Sequence, residues 1–371
     1  MQITKTVKCK IHSLTGIKER ILIDEYAEYQ RICKEVSDCV DNDYFPDSKP
    51  YFMFKSPKRY SATVWGAIQT IRNKKQFEQL REQPLYLRND VFTVTENQTK
   101  ISKHWLRLPT KRKHGGIWLP IIIPRKYEEL LKLKLCDSKI IKNKKGWFLN
   151  PSVKKEVETK KLYSNILAVD LGERVIATVC GSFNNQRPQF LGQEVRGIRR
   201  HYAWLRKRLG NKKLPKVIKR LGQREQRKVN DILFKTARQI NNLAEEYNAL
   251  IVLGDLKGIR KSAKGRRFNR IVSSMPYLKL SNMIEYMANW DGRQVIKIDE
   301  KGRTSHTCSK CGSKGTRPYQ GLFECKSCGY QCNADYNGAK RIAQIGLETI
   351  PSPDGVSLTE PITLGAWQHA Y

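Results

Sequence analysis

Four cysteines near the C-terminal end constrain what this chain can fold into more than any other feature. They follow the spacing C-x2-C-x13-C-x2-C, at Cys308, Cys311, Cys325 and Cys328. Two such knuckles bring four thiolates to one tetrahedral zinc ion, at about 2.3 Å from each sulfur. Gly312 and Gly329 follow the second cysteine of each pair, where a knuckle needs a conformationally permissive residue. Four protein ligands leave no open coordination position, so the spacing predicts a structural zinc site.

The segment after the second knuckle, NADYNGAKRI at residues 333–342, places Asp335 where a helix is predicted to begin. A second acid, Asp170, ends a predicted buried strand in AVDLG and is followed by a glycine turn. Each has an ordinary structural interpretation, Asp335 as a helix N-cap and Asp170 as a strand end bonded to backbone amides. Taken together, the two acids indicate Mg2+ held by carboxylates for in-line phosphodiester cleavage.

The charge of the chain predicts a polyanionic partner. Lysine and arginine number 70 against 35 acids, a formal net charge of +35, and many contacts of Lys and Arg with phosphate give salt-dependent binding. Basic residues crowd the interval 196–228, where Tyr202 and Trp204 lie among them. A solvated basic helix is the alternative interpretation of this interval. The predicted nucleic-acid contacts are Arg199, Arg200, Arg206 and Arg208.

Composition excludes two classes of protein. The chain has no run of 18 apolar residues, and its first residues, MQITKTVKCKIHSL, lack the apolar region of a secretory signal. We therefore expect no membrane association. The six cysteines outside the CxxC pairs share no spacing, which favours a reducing compartment over a disulfide framework.

Hydrophobic periodicity predicts an α/β core in the C-terminal half. Buried strands are predicted at 165–180, 249–256 and 293–300, with helices at 196–209, 224–248 and 278–290. In the N-terminal half, strands are predicted within 1–20 and 90–125, and helices at 23–40 and from Ser61 onward.

The combination of motifs resembles the TnpB family, transposon-encoded RNA-guided DNA endonucleases related to compact type V CRISPR nucleases and to Fanzor proteins. The resemblance covers roughly residues 165–346. It rests on AVDLG, IVLGDL, IDEKGRTSHTCSKCG and FECKSCGYQCNADYNGAKRI, the last of which matches the family pattern NADxNAAxxI.

The resemblance implies a multi-domain chain of α/β and β structure, with an RNase H-like RuvC nuclease domain interrupted by a zinc ribbon. A β-barrel wedge domain with a helical recognition insertion would precede it. The implied ranges are 1–23 and 88–160 for the wedge, 24–87 for the recognition lobe, 161–304 and 330–346 for RuvC, 305–329 for the ribbon and 347–371 for a flexible tail.

The chain departs from the family pattern at one implied catalytic position. Most relatives carry glutamate where Gly254 stands. Either the chain is a nuclease-inactive RNA-guided DNA-binding protein, or another acid replaces the missing one. We favour Glu300, 46 positions later, as the third Mg2+ ligand beside Asp170 and Asp335; a surface acid before a turn is the alternative. Strand alternation turns Asp255 away from the face of Gly254.

The resemblance also implies the partners. These are a guide RNA and double-stranded target DNA with a short flanking motif, in a prokaryotic, cytoplasmic and nucleoid-associated protein that is a monomer or a dimer. We expect the flanking motif to be read by the N-terminal half, through Lys55, Lys58, Arg59 and Tyr60. A transposase that joins DNA strands alone is a weaker alternative, because the family cleaves under RNA guidance.

Overall fold

The computed structural model describes residues 1–41, 51–55, 60–72, 82–110, 115–182, 187–256, 265, 269, 275–299, 304–319, 321–349 and 357–358. The chain divides into two compact units. The N-terminal unit is Gln2–Glu156, and the C-terminal unit comprises Met1 and Val157–Tyr371.

The N-terminal unit is built on one antiparallel sheet of eight strands, in the order β3-β7-β8-β2-β6-β5-β4, with β1 also paired to β8. In the long strand β8, every second side chain from Trp147 to Val153 is buried. Because side chains alternate between the two faces of a strand, one face of the sheet points toward the core. The strands are β1 Gln2–Thr6, β2 Cys9–Ile11, β3 Leu85–Leu87, β4 Thr93–Glu96, β5 His104–Leu108, β6 Ile117–Ile122, β7 Lys134–Asn143 and β8 Gly146–Glu156.

Three helices share the core of this sheet. They are α1 Gly16–Asp41, α2 Tyr51–Phe54 and α3 Ser61–Arg72, and two short 3-10 helices lie at Arg125–Tyr127 and Glu129–Lys132. Leu22, Tyr29 and Ile32 form a buried stripe along α1 and belong to the same hydrophobic cluster as the buried strand residues. Helix α1 thus begins eight residues before the predicted recognition lobe and packs into the core of the sheet.

The C-terminal unit contains a five-stranded sheet in the order β12-β11-β10-β13-β14. Strands β10, β11 and β12 are antiparallel neighbours, whereas β10, β13 and β14 run parallel. The strands of this unit are β9 Leu162–Tyr163, β10 Asn165–Asp170, β11 Ala177–Gly181, β12 Gln189–Leu191, β13 Ala249–Asp255, β14 Val295–Asp299, β15 Leu322–Glu324, β16 Gln331–Asn333 and β17 Ser357–Leu358.

Helices cover both faces of this sheet, which explains why β13 is buried along nearly its whole length. They are α4 Glu194–Asn211, α5 Pro215–Leu221, α6 Arg224–Glu246, α7 Tyr277–Trp290 and α8 Ala334–Thr349. Leu167 and Val169 of β10 pack with α6 and α7, while Ile166 and Ala168 pack with α8. None of the helices in the described ranges has the length and apolarity needed to cross a bilayer.

The strands and helices predicted for the C-terminal half are confirmed, with ends shifted by a few residues. The C-terminal boundary differs more. Helix α8 continues to Thr349, three residues into the segment expected to be a flexible tail, because Ile342, Ala343 and Ile345 continue its buried stripe. Beyond it, β17 pairs in parallel with β9.

Candidate functional site

The four cysteines of the two knuckles converge on one point. Their sulfur atoms all lie within 4.8 Å of one another. Cys308 Sγ and Cys328 Sγ are 3.8 Å apart, and Cys311 Sγ and Cys325 Sγ are 3.5 Å apart. A tetrahedron of sulfurs about 2.3 Å from zinc has edges of about 3.8 Å. The predicted four-cysteine cluster is therefore confirmed, and its geometry fits zinc.

Local backbone geometry explains how the knuckles form. The N–H groups of Gly312 and Gly329 donate to the carbonyl oxygens of Cys308 and Cys325, closing each turn. Both glycines have positive φ, 76° and 71°, which residues with a Cβ rarely adopt. The two turns thus depend on the glycines that the sequence places there.

The thiols of Cys308 and Cys311 lie in different environments, and their pKa values are shifted in opposite directions. Burial raises the pKa of Cys308 to about 12. The backbone N–H of Ser313 lowers the pKa of Cys311 to about 6 by hydrogen bonding to its thiolate. A buried thiol with a high pKa becomes a thiolate only beside a compensating positive charge, which a bound zinc ion supplies.

The cysteine ribbon is bonded directly to helix α8. Asn337, which is fully buried, donates through Nδ2 to Thr307 O at 2.8 Å and accepts the Ser309 N–H through Oδ1 at 3.0 Å. Farther along α8, Gln344 Nε2 donates to Ser309 O at 2.7 Å. The backbone N–H of Ala334 donates to Gly321 O at 3.2 Å. These bonds explain why the helix follows the second knuckle almost without a linker.

Asp335 lies in the first turn of α8 but does not cap it. Asn333 Oδ1 accepts the N–H groups of Asp335 at 2.9 Å and of Tyr336 at 3.2 Å, so Asn333 is the N-cap. The carboxyl group of Asp335 is left for another role. Burial raises its pKa above the ordinary range, although the positive charges of Arg317 and Arg174 act in the opposite direction.

Asp170 reaches the same helix from the end of β10. An ideal Cβ built on Gly338 would lie 2.6 Å from Asp170 Oδ2, so the carboxylate lies directly against the backbone of α8. Gly338 is three residues after Asp335, on the same face of the helix, and it replaces an alanine of the pattern NADxNAAxxI. The structure thus brings the two predicted catalytic aspartates to one face of α8.

Strand alternation sorts the remaining acids between the two faces of the sheet. Leu250 and Val252 of β13 pack with α8, whereas Ile251 and Leu253 pack on the opposite side. Gly254 therefore belongs to the α8 face.

Asp255 belongs to the opposite face, as predicted. Gly254 pairs with Ile298 of β14, and Asp255 pairs with Asp299. Glu300 lies outside the described residues, so its predicted role as a metal ligand stays a prediction. Within those residues, the four cysteines are the only group of three or more potential ligand side chains close enough to share an ion.

Sequence reasoning missed two arginines beside Asp335. Arg317 lies within the thirteen-residue spacer of the ribbon; its Nε donates to Ser305 O at 3.0 Å and its Nη2 to Ala334 O at 3.3 Å. Arg174 Nη1 lies 3.8 Å from an ideal Cβ on Gly321. The sequence did offer a local signal for Arg174, because this residue follows Asp170 by only four positions in AVDLGER. Nothing in the spacer marks Arg317, because its position depends on how the ribbon folds.

The four arginines predicted to contact nucleic acid separate into two pairs on α4. Arg206 forms an ion pair with Glu225 Oε2, and Arg199 Nε lies 3.9 Å from Glu225 Oε1. Arg200 and Arg208 are exposed. The structure thus turns one pair toward α6 and leaves the other pair facing solvent.

The predicted motif-reading residues of the N-terminal unit are only partly described. Lys55 is exposed just after α2, and Tyr60 is half-buried just before α3. Lys58 and Arg59 lie outside the described residues. Burial raises the pKa of Tyr60 above its ordinary value.

Comparison with known proteins gives several matches. Residues 277–342 match the family model "Cas12f1-like, TNB domain". The chain is 31% identical to the CRISPR-associated endodeoxyribonuclease Cas12f1 of Sulfoacidibacillus thermotolerans over 56% of this chain and 52% of that protein. A TnpB-like protein of Methanocaldococcus jannaschii is 28% identical over 52% of this chain and 74% of its own length. A putative RNA-guided DNA endonuclease of Streptomyces pristinaespiralis is 30% identical over 29% of this chain and 27% of its own length.

The fold is also similar to that of a solved complex. The protein chain in a cryo-EM structure of a Cas12f1–sgRNA–target DNA complex superposes with a TM-score of 0.57 at 14% identity, covering 92% of this chain and 99% of that one. The match to the first of the curated relatives spans about half of that relative's length. Together, these matches support the resemblance to the TnpB family stated above.

Proposed function

We propose that this chain is an RNA-guided DNA endonuclease that hydrolyses the phosphodiester backbone of its target with Mg2+. One observation carries the proposal: the carboxylate of Asp170 lies against Gly338, one helical turn from Asp335. The names of the relatives, an endodeoxyribonuclease and an RNA-guided DNA endonuclease, suggest the substrate and the guide. The strand order β12-β11-β10-β13-β14 supports the RNase H-like RuvC interpretation of the sheet.

The residues at this site suit Mg2+. Asp170 and Asp335 offer hard oxygen ligands from adjoining elements, and Asp335 keeps a carboxyl group half-buried although burial disfavours its charged form. A bound Mg2+ would stabilise the attacking and leaving oxygens of an in-line displacement. Arg174 and Arg317 place positive charge beside Asp335, where it attracts the phosphate of a substrate strand.

Glu300 is our candidate for the third ligand. Ile296 and Ile298 of β14 both pack on the α8 side of the sheet, and Glu300 is the next residue of the same parity. Gly254, which pairs with Ile298, leaves the position of the usual glutamate without a carboxylate.

The missing carboxylate at Gly254 favours a second candidate function, that of a nuclease-inactive RNA-guided DNA-binding protein. A plasmid-cleavage assay separates the two. The full chain is loaded with the RNA encoded beside its gene and supplied with Mg2+ and a matching target. We expect the wild-type protein to cut and the Asp170→Ala variant to bind without cutting. Guided binding by the wild-type protein with no cutting would establish the inactive form.

A further inference from the structure

The outward face of α4 carries a row of side chains that the catalytic site does not use. Val195 and Tyr202 turn inward and are buried. The exposed residues recur at helical spacing on the opposite side, and we call them the α4 stripe. They are Arg200, His201, Trp204, Lys207 and Arg208.

Trp204 is the centre of this stripe. Its side chain is 52% exposed, and the Arg208 guanidinium lies over its ring at 5.2 Å from the centroid. The His201 ring lies 6.1 Å away at a tilt of 34°. A single exposed aromatic residue is ordinary on a protein surface, but an indole flanked by cations is the combination that stacks a nucleobase while the cations contact phosphate.

Charge on α4 favours a polyanion. Glu194, in the first turn, is the helix's only acid, against five arginines and one lysine. A comparable pair on α6, Phe234 beneath Arg238 at 5.1 Å, lies close in sequence to the carboxylate of Asp231, which is paired with Lys235. The α4 stripe carries no such carboxylate.

Helix α4, which carries the stripe, begins beside the proposed nuclease site. Arg196 Nε, at the start of α4, is 3.1 Å from Glu173 Oε1, and Glu173 lies in the turn that follows Asp170. Trp204 is eight residues farther along the helix, about 12 Å at 1.5 Å per residue. A strand that passes from the catalytic carboxylates along α4 therefore meets Trp204 within a few nucleotides.

We propose that the α4 stripe binds an unpaired stretch of the DNA strand that is cut. One base stacks on Trp204, while Arg200 and Arg208 contact the phosphates. The choice of strand rests on the proposed function, but the surface itself is testable without cleavage. Arg199 and Arg206, which face Glu225, take no part.

Binding of a fluorescent oligothymidylate to the full chain in EDTA, followed by anisotropy, tests the stacking. Trp204→Ala should weaken binding about 5- to 150-fold, as loss of one stacked base does, whereas Trp204→Phe should stay within about threefold of wild type. The matched control is Phe234→Ala, which should bind as wild type does. Equal binding by Trp204→Ala and wild type would overturn the proposal, as would an equal loss in Phe234→Ala. A loss seen with oligouridylate and absent with oligothymidylate would overturn the assignment to DNA.

Salt dependence tests the phosphate contacts separately. Arg208→Gln should reduce the slope of log K against log salt by about 0.7, the value for one contact with a single strand. Arg206→Gln should leave the slope unchanged and lower the thermal stability, because it removes the ion pair with Glu225. Equal slopes for Arg208→Gln and wild type would refute the role of the outward pair. Because these measurements need neither guide nor Mg2+, failure of the stripe and failure of the nuclease are distinguishable.

Discussion

Gly338→Ala restores the alanine of the family pattern, yet in this chain it should damage catalysis through a single methyl group, because Asp170 lies directly against the glycine. An added Cβ would lie 2.6 Å from Asp170 Oδ2, whereas ordinary contact begins at 3.4 Å. The carboxylate must therefore retreat by about 0.8 Å or rotate away. Metal–ligand distances tolerate only about 0.2 Å of error, and a misplacement near 1 Å costs about 100-fold in rate. We expect guided cleavage to fall by roughly 100-fold and the Mg2+ concentration for half-maximal cleavage to rise.

Gly210→Ala, near the end of α4, is the matched control. An ideal Cβ there meets nothing within 4 Å, so this variant gains up to about 1 kcal/mol of helix propensity without touching a carboxylate. Cleavage is measured over a Mg2+ titration, and guided DNA binding and zinc content are measured alongside it to show that the fold is intact. A Gly338→Ala enzyme with wild-type cleavage at every Mg2+ concentration would refute the placement of Asp170 against α8.

Three further predictions concern metal ligands. Cys308→Ala should lower the zinc content and, together with it, the free energy of unfolding by several kcal/mol, because thiolate–zinc binding contributes directly to folding. A stable variant without zinc would contradict this. Glu300→Ala should abolish cleavage and preserve guided DNA binding, as Asp170→Ala should; cleavage by the Glu300 variant would exclude Glu300 as a ligand. Burial raises the pKa of Asp335 in the folded chain above its value in the unfolded chain. The folded chain therefore keeps the Asp335 proton to higher pH, and it loses stability as the pH rises from the pKa of the unfolded state to that of the folded state. Asp335→Asn should therefore be more stable than wild type at pH 7 in EDTA, with the difference vanishing below the unfolded pKa; urea unfolding at both pH values measures this, and a variant less stable at pH 7 would refute it.

Features of the site that depend on short stretches of sequence could be predicted. The cysteine knuckles need only two CxxC pairs and the glycines that close their turns. Asp170 ends a strand whose apolar run is visible in the sequence, and the alternation that turns Asp255 away follows from strand geometry alone.

Features that depend on packing between distant segments could not be predicted. One local feature was missed for a different reason: Asn333, not Asp335, caps α8, and the preference of asparagine for that position was a signal in the sequence. The ion pairs of Arg199 and Arg206 require Glu225, which only the turn between α5 and α6 brings near. Likewise, the significance of Gly338 depends on how closely α8 approaches β10.

The bonds between the ribbon and α8 join the last helix that covers the sheet to the cysteine cluster. Strands β10, β13 and β14 precede the ribbon in the chain, whereas α8, which covers one face of their sheet, follows it. Asn337 and Gln344 hold α8 to the first knuckle, so a knuckle without its metal would leave the helix poorly anchored. Asp335, in the first turn of α8, would then reach its place near Asp170 only once the knuckle holds its metal. On the proposed function, zinc supply would thus control maturation, because a chain without zinc would lack a firmly placed Asp335.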